Sequence, residues 1–216
     1  MKIKLIIFDL DGTLVDSSID ITNALNYAIE PYNFKKLTVE KTVSMVGEGI
    51  TRLIEKLLGE NNSEIKPDVL KRFMDYYSDH LTDFTKSYPG VRETLEELRN
   101  YKKAIISNKR EFLSRRLLED LELSKYFDII LGSDSIDEKK PSPKPVLKAL
   151  EILSLTPEEA VIVGDSDYDI IAGKAAGAIT IAASYGFRDI SLLGDADFII
   201  DSFSELKSKL DEINRR

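Results

Sequence analysis

The apolar run from Ile3 to Phe8 stops abruptly at Asp9-Leu10-Asp11-Gly12-Thr13. A run of roughly four to eight apolar residues closed by turn signals reads as a strand buried on both faces, the kind found inside a parallel sheet. Asp9 and Asp11 therefore stand where that strand ends. In open α/β sheets, ligands bind at the carboxyl ends of the strands. Alternate side chains leave a strand on the same side, so two carboxylates one residue apart can converge on one point. Such a pair can hold a hard cation through oxygen and keep a carboxylate for chemistry. An Asp-Gly corner also forms for backbone reasons alone, so this segment restricts the fold more than the function.

Further short apolar runs occur at residues 103–107, 127–131, 160–164, 178–182 and 197–200. Segments of helical period lie between them, at 91–101, 110–121, 143–154, 167–176 and 203–213. Strands alternating with helices imply βαβ units and an α/β fold with a doubly wound, Rossmann-like parallel sheet. Residues 17–86 break this rhythm. They hold no convincing strand, and the stretches 50–58 and 67–84 are amphipathic at helical spacing. This segment reads as an inserted helical cap domain, after which the chain re-enters the core at Tyr88-Pro89-Gly90. The expected organisation is an α/β core from residues 1–16 and 87–216 with a cap from 17–86.

Composition removes several function classes. With 216 residues and 43% hydrophobic content, the chain can bury one full core and a smaller satellite. A net charge of −8 and no basic block argue against a nucleic-acid surface. There is no cysteine, so disulfides, thiol catalysis and zinc-thiolate sites are excluded. A single histidine, His80, leaves no Ser-His-Asp arrangement and is assigned no role. No stretch approaches the roughly 20 apolar residues that span a bilayer, and none resembles a signal peptide. A cytoplasmic protein, monomeric or homodimeric, is expected.

The later strands also end in polar clusters. Ile105-Ile106 runs into Ser107-Asn108, which can cap the following helix or offer a hydroxyl and backbone N–H groups to an anion. Lys139-Lys140-Pro141-Ser142-Pro143-Lys144-Pro145 is a proline-stiffened loop leading into a helix. A lysine held beside rigid prolines is pre-organised to meet a phosphoryl group. Val163-Gly164 runs into Asp165-Ser166-Asp167-Tyr168-Asp169. Asp165 and Asp169 share a face at helical spacing. First-turn acids suit the helix dipole, which explains Asp167 and Asp169 but not Asp165 at the strand exit.

In this order, Asp-x-Asp-Gly-Thr, a strand ending Ser-Asn, Lys-Pro-x-Pro and Gly-Asp-x-x-x-Asp resemble the four motifs of the haloacid dehalogenase superfamily. The resemblance runs the full length. It is closest to the phosphoglycolate phosphatase-like branch, through Leu14-Val15-Asp16-Ser17, Val46-Gly47-Glu48-Gly49 and Tyr88-Pro89-Gly90-Val91. It implies Asp9 as nucleophile and Mg²⁺ ligand, and Asp11 as general acid/base with its carbonyl on the metal. It further implies Ser107, Asn108 and Lys140 around the transferring phosphoryl group. Asp165 would complete the Mg²⁺ site, supported by Asp169. Charge supports this division of labour: a phosphate monoester repels a carboxylate nucleophile unless cations offset both partners. The activity implied is hydrolysis of a small phosphorylated metabolite through an aspartyl phosphate. Phosphoglycolate, pyrophosphate, nucleotide monophosphates and sugar phosphates all remain open. A phosphomutase of the β-phosphoglucomutase type would carry a cap histidine where this chain has Ile21. Within the cap, residues 47–49 are expected to reach the site, and Arg52 is a candidate contact for a substrate carboxylate.

Overall fold

The computed structural model describes residues 2–215. In chain order the strands are β1 (Leu5–Phe8), β2 (Val15–Asp16), β3 (Lys86–Ser87), β4 (Lys102–Ile106), β5 (Ile129–Leu131), β6 (Ala160–Gly164), β7 (Ile179–Ala183) and β8 (Phe198–Ile200). The α-helices are α1 (Ser18–Ile29), α2 (Val39–Val43), α3 (Ile50–Leu58), α4 (Lys66–Asp79), α5 (Val91–Glu97), α6 (Glu111–Asp120), α7 (Lys144–Leu153), α8 (Asp167–Ala176) and α9 (Leu206–Arg215).

Six strands form one parallel sheet in the order β5-β4-β1-β6-β7-β8. β1 is central, and all four of its residues are fully buried. Its alternate side chains feed two cores. Ile6 and Phe8 pack on the side of α5, α6 and α9, with Leu95, Leu117 and Leu210. Leu5 and Ile7 pack on the side of α7 and α8, with Val146, Leu150 and Ala172. Helices on both faces make the sheet doubly wound, as the alternating pattern implies. Pairing of Phe8 with Ile105 on one side and Val163 on the other brings three strand exits to one edge. Order reverses across β1, so this edge is the topological switch point where ligands bind.

The helical cap comprises α1–α4, with Leu25, Ile54, Val69 and Phe73 buried among them. A two-residue antiparallel ribbon joins it to the sheet, pairing Val15 with Ser87 and Asp16 with Lys86. Beside that ribbon Asp20, 1% exposed, accepts from Thr85 N at 2.8 Å, Thr85 Oγ1 at 2.7 Å and Phe84 N at 3.0 Å. One buried carboxylate thus ties the first cap helix to the returning chain. Among the described residues no helix is long and apolar enough to cross a membrane.

Candidate active site

Asp9, Asp165 and Asp169 meet at the carboxyl edge of the sheet, each offering an oxygen within 4.8 Å of the others. Asp9 follows β1, and its N–H continues the ladder to Val163 O at 2.9 Å. Asp165 follows β6 and is 2% exposed. Its carboxylate accepts from Phe187 N at 2.7 Å and Thr13 Oγ1 at 3.2 Å. This packing needs glycine nearby: a Cβ on Gly12, at φ +87°, would lie 2.2 Å from Asp165 Oδ2. Asp169 stands in the first turn of α8 and closes a capping box with Ser166, whose Oγ donates to Oδ2 at 2.6 Å.

Lys140 lies between these acids, 2% exposed. Its Nζ donates to Asp169 Oδ1 at 2.6 Å and lies 2.8 Å from Asp9 Oδ1. Burial opposes the Lys140 charge, but Asp169 and Asp9 outweigh it and hold the ammonium above its ordinary range. Burial pushes Asp9 up to about 6, with the Lys140 charge pulling the other way. Burial, then the Asp9 and Asp169 charges, push Asp165 up to about 8. Three ionised carboxylates facing one ammonium leave two negative charges in a water-poor site, a costly state without a counter-charge. An all-oxygen donor set with that deficit fits a hard divalent cation.

A second buried cluster adjoins the first. Asp11 Oδ1 accepts from Ser17 Oγ at 2.5 Å and from Lys109 Nζ at 2.9 Å. Lys109 Nζ also donates to Tyr77 Oη on α4 at 2.7 Å, so the cap touches the Asp11 cluster directly. Burial pushes the Tyr77 phenol up to about 12. Lys109 belongs to none of the motifs quoted above. A cation just before α6 runs against the helix dipole, and that was the one available signal.

A family model described as haloacid dehalogenase-like hydrolase matches residues 6–183. The chain belongs to that family. A phosphoglycolate phosphatase of Aquifex aeolicus is 40% identical over 96% of this chain and 97% of its own. A relative from Caldanaerobacter subterraneus, provisionally named a pyrophosphatase, is 34% identical over 95% of this chain and 94% of its own. A solved structure described as a predicted phosphoglycolate phosphatase from Haemophilus somnus 129pt superposes with a TM-score of 0.92. It is 28% identical, and the match covers 97% of this chain and 99% of that one. The family, read first from the motifs, and the doubly wound α/β sheet, read from the alternation of apolar and helical segments, are thereby borne out.

A cavity opens at the carboxyl edge of the sheet, with Asp9, Asp11, Ser107, Asn108, Lys140 and Asp165 on the sheet side and Ile21, Leu53, Phe73 and Tyr77 of the helices α1, α3 and α4 facing them. Not every expected contact is there. Asn108 is buried, and its amide donors reach Gly47 O at 2.7 Å and Lys140 O at 3.0 Å. Its side chain therefore braces cap against core instead of offering N–H to a ligand. Ser107 is 4% exposed, and its Oγ accepts from Lys109 N at 3.2 Å. Arg52 is not brought to the cavity. It is solvent-exposed on α3, paired with Glu55 at 2.8 Å and 4.0 Å from Glu48. The helix turns that face outward because Leu53 and Ile54 occupy the buried side. Arg110 and Arg188 line the cavity instead. Residues 47–49 do reach the core: a Cβ on Gly49, at φ +81°, would sit 2.7 Å from Asn108 O. His80 lies outside the cavity, 2.7 Å from Asp83 and stacked on Tyr76.

Proposed function

We propose that this hydrolase is a Mg²⁺-dependent phosphatase of a small phosphorylated metabolite, phosphoglycolate being the favoured substrate, and that it works in the cytoplasm. The observation that carries this reading is Lys140 Nζ lying 2.8 Å from Asp9 and 2.6 Å from Asp169 beside Asp165. It supplies a nucleophile, a fixed cation and an oxygen donor set in one place. We assign residues 17–86 to the cap and 1–16 with 87–216 to the core.

Asp9 would attack phosphorus and take the phosphoryl group as an acyl phosphate, splitting hydrolysis into two displacements. Asp9, Asp165, Asp169 and the Asp11 carbonyl would hold Mg²⁺, whose charge lets an anionic nucleophile approach an anionic ester. Lys140 would add a second fixed positive charge beside Asp9 and hold its attacking carboxylate in place. Ser107 would bind a phosphoryl oxygen. Asp11 would give a proton to the leaving alkoxide, then take one from the attacking water. The closed cap would keep bulk water from the acyl phosphate.

The name of the Caldanaerobacter relative favours pyrophosphate as a second reading. Ile21 lines the cavity where a phosphomutase would need a histidine, so that alternative lacks its proton carrier. The test is a hydrolysis panel of phosphoglycolate, pyrophosphate, glycerol phosphate, a nucleoside monophosphate and a sugar phosphate, with Mg²⁺ and with chelator. Phosphoglycolate should give the highest kcat/KM and chelation should abolish it. Full activity after chelation, or pyrophosphate well ahead, would overturn this choice.

A further inference from the structure

Lys109 is a charge that the chemistry above does not use, yet only 6% of its side chain is exposed. Its ammonium bridges two bodies of the molecule. On the core side it meets Asp11 Oδ1 at 2.9 Å, and on the cap side Tyr77 Oη at 2.7 Å. The ammonium also lies 4.8 Å from the Tyr77 ring centroid. Ser17 Oγ donates to the same Asp11 oxygen at 2.5 Å. Oδ1 therefore carries two donors, while among the described residues nothing donates to Oδ2.

The two oxygens of a carboxyl are equivalent until the surroundings distinguish them. With one N–H and one O–H donor aimed at Oδ1, a proton carried by Asp11 belongs on Oδ2. We infer that Lys109 is a positioning residue which, held by Tyr77 of the cap, fixes Asp11 so that Oδ2 faces the leaving group only when the cap is closed. Tyr77 is 2% exposed against the core, and α4 supplies it from the cap. Opening the cap withdraws the phenol, and Lys109 loses one of its two partners. Closure thus completes the acid in addition to excluding water.

This inference rests on Asp11 being the proton carrier, and the test separates the two claims. Phosphoglycolate leaves as an alkoxide that needs a proton, whereas p-nitrophenyl phosphate leaves with little help. The parameter is kcat/KM, which reports steps up to departure of the leaving group. Lys109→Met should lower it on phosphoglycolate by ~10–100-fold, part of the general-acid effect, and on p-nitrophenyl phosphate by no more than ~3-fold. Lys109→Arg should recover part of the loss. Tyr77→Phe keeps the ring and the lysine, so it should fold normally and show a smaller loss with the same substrate bias. Combined with Lys109→Met, it should add nothing, because both act through one contact. Equal losses of Lys109→Met on both substrates, or full additivity of Tyr77→Phe, would overturn the inference. Should Lys109→Met fail to fold, an unbiased loss in Tyr77→Phe would overturn it alone. Asp11→Asn serves as the reference. Bias there without bias in Lys109→Met removes only this inference, whereas no bias in Asp11→Asn removes the acid role itself.

Discussion

At 2% exposure and beside two other carboxylates, Asp165 has its ionisation opposed by burial first and like charge second. In the metal-free protein its carboxyl rises from 3.8 to about 8. Between those values the native state keeps a proton that the unfolded chain has released. Stability therefore falls as pH rises through that window and levels off above it. A bound cation reverses the preference, since it takes the carboxylate and displaces the proton. Added Mg²⁺ should accordingly raise Tm more at pH 8 than at pH 6, measured by thermal melts against chelator. Asp165→Asn should lose most of that dependence. A Tm increment equal at both pH values would mean that this carboxylate does not bind the cation. Asp9, Asp165 and Lys140 were legible because each stands at a strand exit or in a proline-bound loop, positions that local sequence marks. Lys109 was not, because its partner Tyr77 lies 32 residues away on another helix and no local pattern joins them. Arg52 was misplaced for a related reason: helical spacing names the residues on a face, but only tertiary packing says which face looks at the cavity.

Strands fared well in the sequence because buried parallel strands are continuous apolar runs. The run at 160–164 is β6 as expected, and 103–107 is displaced by one residue from β4. The run at 127–131 shortens to Ile129–Leu131. Phe127 N closes a turn to Ser124 O, and the Asp128 carboxylate accepts from Lys102 Nζ and Lys103 N instead of entering the strand core. Helix ends were less legible. The amphipathic stretch 67–84 is helical only to Asp79, where His80 N bonds back to Tyr76 and Tyr77 carbonyls. The ribbon of β2 and β3 was invisible, since two residues are too few to show a period. Its neighbour Asp20 makes that junction testable. Asp20→Ala strands the buried N–H and hydroxyl of Thr85, so urea denaturation should show a loss of about 2–3 kcal/mol with unchanged m. A loss within ~0.5 kcal/mol would mean that water replaces the carboxylate and the junction is held otherwise.

Across the whole molecule, residues 17–86 and the rest of the chain meet through several bonds at and beside the cavity. Asn108 holds Gly47 O at 2.7 Å, Arg188 donates to Ser44 O at 3.2 Å, Lys139 donates to Glu48 O at 2.5 Å, and Lys109 reaches Tyr77 at 2.7 Å. Every group proposed for phosphoryl transfer lies outside residues 17–86, whereas Ile21, Val46, Ile50, Leu53, Phe73 and Tyr77 within that segment line the opposite side of the cavity. Ordered motifs revealed the first half, because the reaction constrains residue types at strand ends. The second half depends on which side chains of residues 17–86 turn inward, which tertiary packing decides and local sequence does not mark. The proposed two-step reaction requires Asp9 itself to carry the phosphoryl group. Asp11→Asn should trap that state, because the second displacement then lacks its base while p-nitrophenyl phosphate can still load the first. Rapid mixing should give a nitrophenol burst near one equivalent, and mass spectrometry of quenched protein should find one phosphoryl group on Asp9. Nitrophenol release with no phosphorylated protein, or a phosphoryl group on any other residue, would contradict it.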